Sequence, residues 1–324
     1  VILAKQAAGD CRQRASPCDP AVMPIRPCSR LSLLAALLLG VAACAPPSLP
    51  FSRLAGLITS GELDEISGLA ASRVHEDVLW AINDGGNPAR LHAISRRGKV
   101  LARFEVRGVR NIDWEDLASF TLQGKHYLLV ADTGDNGGKR KDIVLHVFEE
   151  PTKLEDAALR PAWTIRARWP DGPRDCEAVA VDVASGQVLL VSKKRNPPDL
   201  FTLPLAKSRG VSEARRIGRL AGVPQASEEL RRNDPKLARL FPQVTAADLS
   251  PDGRTLAVLT YGSVLFYRRT PGEDWRSAVA RMPEAHDVPL IPQAEALAWS
   301  AGGAGLYATG EFKPAPLFYL SPDQ

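Results

Sequence analysis

A short apolar signature recurs five times along this 324-residue chain, and it constrains the fold more than any other feature. The copies are Ile66–Ala70 (ISGLA), Trp114–Ala118 (WEDLA), Cys176–Ala180 (CEAVA), Ala246–Ser250 (AADLS) and Ala294–Ala298 (AEALA). Aligned on Leu69, Leu117, Val179, Leu249 and Leu297, they are spaced by 48, 62, 70 and 48 residues. The shorter spacings match one four-stranded unit of a radial repeat protein, about 40–50 residues. Each copy continues in the same order. A turn-rich stretch leads to a second apolar run, such as Val78–Asn83 or Thr255–Thr260, and a polar loop leads to a third, such as Arg90–Ile94 or Val264–Tyr267. A fourth run follows in four copies: Val100–Val106, Trp163–Trp169, Ala214–Leu220 and Trp275–Ala280. These runs are short and often apolar on both faces, as strands sandwiched between neighbouring sheets must be. The chain's 25 glycines and 26 prolines supply the many turns this requires.

The fifth copy runs out of chain before a fourth strand, while a spare strand, Leu54–Thr59, precedes the first copy. Pairing it with Leu317–Leu320 would complete the last sheet and close the ring, hiding a row of unpaired backbone groups. The sequence therefore predicts an all-β, five-bladed β-propeller over residues 51–324. The alternative is a six-bladed ring with its extra blade in the 70-residue gap. That gap reads instead as a polar, helical insertion, Ser227–Phe241.

The beginning of the chain is expected to lie outside this domain. Met23, Arg26 and Arg30 precede the apolar run Leu31–Ala43, too short to span a bilayer, which needs about 20 residues. A basic segment, a short apolar core and small residues at the cut are the layout of an export signal, here residues 23–43. Val41-Ala42-Ala43-Cys44 resembles a bacterial lipobox, which implies acylation of Cys44 and a lipidated tether over 44–50. Ala45 after that cysteine fits outer-membrane sorting in such lipoproteins. The expected location is the outer membrane, facing the periplasm. Residues 1–22 fit neither signal nor domain, and translation is expected to start at Met23. Beyond residue 43 the chain carries 36 basic and 35 acidic residues, so charge gives no case for a nucleic-acid partner. The expected partners are the membrane, through Cys44, and a small molecule or envelope protein.

In a propeller, the loops entering each first strand and those joining second to third strands open on one face. Here they gather residues far apart in sequence. Four positions before the aligned apolar residue stand Glu65, Asp113, Asp175, Thr245 and Gln293; two before it stand Ser67, Glu115, Glu177, Ala247 and Glu295. The second-to-third-strand loops add Asp84, Asp132, Asp135, Lys193 and Lys194. So many carboxylates at one rim repel each other. Protonation, pairing with Lys193, Lys194 or Arg195, and a bound divalent cation each relieve that repulsion. Oxygen-only donors suit Ca2+, which takes 6–8 oxygens. Glu115, Asp132, Asp135, Glu177 and Glu295 are the candidate metal ligands. Glu65, Asp84, Trp114, Glu115, Lys193 and Lys194 are candidates for contacting a ligand, Trp114 by stacking. Equally, Asp and Asn at such places cap loop amides and form turns.

Signals for catalysis are sparse. There is no G-x-S-x-G nucleophile motif and no complete P-loop. Among the five histidines, only His286 is expected to reach the upper face, in the loop entering the fifth blade, where it or Glu177 would serve as a base. Cys176, between Asp175 and Glu177, reads as a buried structural thiol.

The segments Trp80–Gly86 (WAINDGG), Asp113–Ala118 (DWEDLA) and Ala131–Asn136 (ADTGDN) resemble a group of secreted bacterial propellers related to the SdiA-regulated and phytase-esterase-like propellers. The resemblance covers residues 62–150. It implies a propeller fold and, by analogy with calcium-dependent relatives, metal ligands at first-strand entrances, where Glu65, Glu115, Glu177 and Glu295 stand and Ala247 interrupts the ring. The expected function is binding of a ligand or partner at an acidic, calcium-holding central face. The alternative is a Ca2+-dependent hydrolase of esters, lactones or phosphoesters.

Overall fold

The computed structural model describes residues 51–288 and 291–321. The proposed signal, Cys44 and the tether lie outside the described residues. Five antiparallel-cored sheets form a closed five-bladed propeller, and the alternative with six blades is excluded. The chain enters through β1 (Ser52–Ile58). Blade one follows as β2 (Ile66–Ala71), β3 (Val78–Asn83), β4 (Arg90–Ser95) and β5 (Val100–Val106). Blade two comprises β6 (Trp114–Leu122), β7 (Lys125–Asp132), β8 (Ile143–Glu149) and, after a short β9 (Ala157–Leu159) that joins the sheet of blade one, β10 (Trp163–Arg168). Blade three holds β11 (Cys176–Asp182), β12 (Gln187–Ser192), β13 (Asp199–Pro204) and β15 (Arg215–Arg219), and the connection between the last two carries a short β14 (Val211–Glu213) that joins the sheet of blade two. Two short helices, α1 (Glu228–Asn233) and α2 (Pro235–Leu240), precede blade four: β16 (Val244–Leu249), β17 (Thr255–Thr260), β18 (Ser263–Arg268), α3 (Trp275–Val279) and β19 (Glu284–Asp287). Blade five is β20 (Ala294–Trp299), β21 (Leu306–Gly310) and β22 (Ala315–Leu320), completed by β1.

The closure is the pairing expected from the chain ends: β1 runs antiparallel to β22, with Leu54 opposite Phe318 and Ile58 opposite Ala315. The first strands β2, β11, β16 and β20 are buried along their whole length, as is β6 up to Phe120, and they pack around the axis, each against the next. Five hydrophobic clusters fill the five interfaces between blades, from Trp80 against Leu117 in the first to Leu69 against Leu317 in the last. Each inner strand therefore buries both faces, which is why its sequence shows a continuous apolar run rather than alternation.

Three features depart from the sequence expectations. Trp275–Ala280 is not a strand. Asp274 accepts a hydrogen bond from the Ser277 amide and caps α3, whose buried Trp275, Ala278 and Val279 recur at helical spacing. The fourth strand of blade four is instead the mostly exposed β19, whose charged composition suits an outer edge and hides it from an apolar pattern search. Strands β9 and β14 lie parallel to the outer strands of the preceding blades, Phe104 beside Ala157 and Arg166 beside Val211, so two blades gain a fifth strand from the next blade's connection. The insertion over 227–241 is helical as expected, with Ser227 and Asp234 as caps. Among the described residues no helix is long and apolar enough to cross a membrane.

The repeat register in blade four is the third correction. Every first strand carries a bulge near its upper end, and the extra residue is Ser67, Glu115, Glu177, Thr245 or Glu295. In blade four this aligns Ala247, not Leu249, with Leu69 and Leu117. A two-residue slip returns every side chain to the same face, so alternation cannot decide the register, and the larger leucine draws the alignment the wrong way. Thr245, rather than Ala247, is blade four's member of the inner ring.

Candidate functional site

The bulges aim one residue per blade at the upper mouth of the channel, as bulges at rims commonly do. Ser67 and Thr245 donate their hydroxyls to the Trp114 and Ala294 carbonyls, joining neighbouring blades at 2.9 and 2.6 Å. The three glutamates have no such local outlet. Glu115 stands at the centre. Its carboxylate meets those of Asp84 and Asp113 on one side and those of Asp175 and Glu177 on the other, with ligand oxygens of each trio within 4.8 Å of one another. Glu115 and Glu177 are buried.

The backbone is shaped to this group. A side chain on Gly134 would overlap Glu115 Oε1 and Asp113 Oδ2, and one on Gly85 would overlap Asp113 Oδ1, so glycine at both positions lets main chain approach the acids. Cations are fewer. Lys193, buried, bonds Glu177, lies 3.8 Å from Glu295 Oε1 and sits 5.4 Å over the Tyr261 ring. Tyr261 donates its hydroxyl to Glu295. Lys194 reaches Asp175 Oδ2 at 2.8 Å and Asn136 Oδ1 at 2.7 Å.

The titration behaviour follows from burial and like charge. Burial, then Glu177, Asp84 and Asp113, raise the Glu115 pKa well above the usual carboxylate range. Burial raises Glu177 too; Lys193 pulls against it, while Asp175 and Glu295 push with it. Burial lifts Asp84 to about 6 and, with Glu295, Glu311 to about 8. Asp113 is raised by burial against the opposing charge of Arg140. Burial opposes the charge on Lys193, but Glu177, Tyr261 and Glu295 outweigh it and its pKa is raised. The mouth thus holds more carboxylates than its lysines offset, and the raised pKa values favour their protonated forms.

The cavity above this group measures about 870 Å3. Asp84, Glu115, Glu177, Glu295 and Glu311 line it opposite an apolar wall of Leu237, Leu240 and Phe241 from the helical insertion and Ile291. No serine, threonine, cysteine or histidine lines it among the described residues.

Other sequence candidates lie elsewhere. Asp132 pairs with Arg140 at 2.7 Å and accepts the Asp113 amide. Asp135 accepts the Lys139 and Arg140 amides at 2.7 and 2.9 Å, shaping its own loop. Both belong to neither carboxylate trio. Glu295 faces Lys193 and Tyr261. Glu65 accepts from Asn87 Nδ2 at 2.6 Å at the exposed rim. Trp114 cannot stack on a ligand: it is fully buried between blades one and two, because the bulge turns Glu115, not its neighbour, to the mouth. His286 is not in a loop over the mouth but on β19, stacked on Phe51 with ring centroids 4.3 Å apart and bonded to Glu284 at 2.8 Å. Cys176 is fully buried, and burial pushes its thiol pKa up.

Two elements were missed in the sequence. Tyr261 comes from the blade-four loop, which carries no acidic turn motif, and Glu311 from the blade-five loop Gly310–Lys313, expected on this face but not singled out as a site residue. Asp116 and Asp248 are buried carboxylates inside the channel below the mouth. Asp116 accepts the Leu117 amide at 2.8 Å, the Val179 amide at 2.8 Å and the Ala247 amide at 3.2 Å, lacing three first strands together. Asp248 accepts the Leu249 and Trp299 amides, both at 2.8 Å. Their signal was an aspartate inside an otherwise apolar first strand.

No family model matches the chain, and no curated protein is significantly similar to it.

Proposed function

We propose that the upper face binds a small ligand or partner through a divalent cation, Ca2+, held around Glu115. The observation that carries the reading is the double use of Glu115. It belongs to two carboxylate trios against glycine backbone that leaves room for the acids alone. Asp84, Asp113, Glu115, Asp175 and Glu177 supply hard oxygen donors of the kind Ca2+ takes in sets of 6–8. When bound, the ion would offset the mutual repulsion of these acids and offer coordination positions to a ligand's oxygens. Lys193 would hold Glu177 and Glu295 in place beside it. The apolar wall from the insertion gives the ligand's body a surface to cover.

The hydrolase reading has less support, since no serine, threonine, cysteine or histidine lines the cavity among the described residues and the one hydroxyl there, that of Tyr261, is donated to Glu295. In this reading the domain works at the outer membrane, tethered through Cys44, on the strength of the signal-like segment alone.

The test is a melting curve with EDTA and with added Ca2+, repeated on Glu115→Gln. Ca2+ at about 100 times its Kd stabilises by about 2.7 kcal/mol, a rise of several degrees. Glu115→Gln removes that rise. A midpoint indifferent to both EDTA and Ca2+ refutes the cation site.

A further inference from the structure

A second cavity opens on the opposite, lower face, where blades three and four diverge. It measures about 1110 Å3. Its rim is cationic: Arg215 on β15, Arg254 after the Ser250–Gly253 turn and Arg276 on α3 all face it and are exposed. These guanidinium groups make no hydrogen bond or ion pair among the described residues. The acids of the groove are already engaged. Glu273 is bound by Arg281, Asp274 caps α3, and Asp252 accepts from Ser250 Oγ and the Arg254 amide. The remaining arginines are spoken for as well, Arg269 by Asp182 at 2.8 Å and Arg216 and Arg219 by Asp199 at 3.5 and 3.0 Å.

The floor carries an independent sign of a ligand. In blade three, Leu189, Thr202 and Arg215 stand directly opposite one another on β12, β13 and β15, a row running from the core to the rim. Directly opposed residues share a face of the sheet. Thr202 is buried, only 5% exposed, and its hydroxyl has no hydrogen-bond partner, although it borders the cavity. A buried hydroxyl without a partner is costly. One satisfied by a ligand is not.

We propose that this groove is a binding site for a phosphate-bearing anion, gripped by Arg215, Arg254 and Arg276 and accepting a hydrogen bond from the Thr202 hydroxyl. Arginine forks match phosphate oxygens bidentately, and charge-assisted bonds of this kind are the strong ones. Leu189 and Ile217 line the same cavity and would pack against an apolar body attached to the phosphate. Two sources share this chemistry, a soluble phosphoester and the headgroup of an anionic phospholipid. The second has a topological argument. β1 begins at Ser52, opposite Leu320, which in turn lies opposite Leu306 beside the lower turn of blade five. The chain therefore enters the propeller on the same face as the groove, eight residues after Cys44. Acylation of Cys44 would keep this face near a bilayer.

The experiment uses the full chain in EDTA, so that no phosphate is bridged by a cation at the acidic mouth and the outcome is separate from that of the Ca2+ test. Inorganic pyrophosphate is titrated calorimetrically, and pelleting is measured with phosphatidylcholine vesicles with and without phosphatidylglycerol. Saturable pyrophosphate binding, or pelleting that requires phosphatidylglycerol, is expected, falling as salt rises. Pyrophosphate alone identifies a soluble ligand, and vesicles alone identify a headgroup. The triple variant Arg215→Gln, Arg254→Gln, Arg276→Gln should weaken binding at least tenfold, and Thr202→Val several-fold, with melting midpoints that do not fall, because none of the four side chains makes a hydrogen bond or close ion pair in the fold. Absence of binding in both arms, or a triple variant that binds like the wild type, overturns the proposal.

Discussion

Replacing Asp116 by alanine tests the reading of the channel as a laced ring. Its Oδ2 accepts the Val179 and Ala247 amides from β11 and β16, and its Oδ1 the Leu117 amide of its own strand. First strands have no neighbouring strand on the channel side, so these inward amides depend on Asp116. The substitution leaves two inter-blade donors orphaned in a buried place. At about 1–3 kcal/mol for each buried unsatisfied group, the loss is roughly 2–6 kcal/mol. That is a large share of the 5–15 kcal/mol typical of a folded domain. Asp248 bonds only one amide from another blade, that of Trp299, so Asp248→Ala should cost about half as much. Guanidinium unfolding followed by both tryptophan fluorescence and circular dichroism measures this, with the midpoint falling at unchanged slope if the transition stays two-state. A loss below about 1 kcal/mol for Asp116→Ala, or one no larger than for Asp248→Ala, would show that the blades cohere without these carboxylates.

Stability should also depend on pH in a characteristic direction. Asp84, Asp248 and Glu311 have folded pKa values raised, chiefly by burial, to about 6, 7 and 8. The folded state therefore holds these protons more tightly than the unfolded chain, whose values are near 3.8 for Asp and 4.5 for Glu. Their contribution is fully present below those unfolded values and is lost as pH rises through the folded ones. In EDTA the melting midpoint should fall from about pH 5 to about pH 8, and Ca2+ should flatten the part owed to Asp84; a midpoint that rises over this range contradicts the assignment. Gly134→Ala places a methyl group against Glu115 and Asp113, so it should abolish the Ca2+-induced rise in midpoint while circular dichroism still reports a propeller. A full Ca2+ response in Gly134→Ala would move the ion elsewhere.

Much of the fold could be read from the sequence because its causes are local or counted. Strands buried on both faces give apolar runs, and a closed ring obliges the chain ends to share one blade, so the pairing of β1 with β22 followed from counting strands. Helix α3 and strand β19 were misread for the complementary reason. Trp275, Ala278 and Val279 are as apolar as a strand, whereas Glu284–Asp287 is as polar as a loop, and only their packing tells them apart. At the site, the sequence indicated which loops converge but not which side chains meet. Asp132 and Asp135 are as acidic as Asp113 and Asp175, yet their own loop amides and Arg140 take them up.

The sequence alone determined a ring of five repeats with an acidic mouth, since periodicity, strand count and residue type are properties of the chain. Tertiary structure decided that Glu115 joins two trios, that Thr245 rather than Ala247 completes the inner ring, and that Trp114 is core. Each outcome depends on a bulge that turns one residue by half a period, and a bulge is fixed by the neighbouring strand's hydrogen bonds rather than by the residues it displaces.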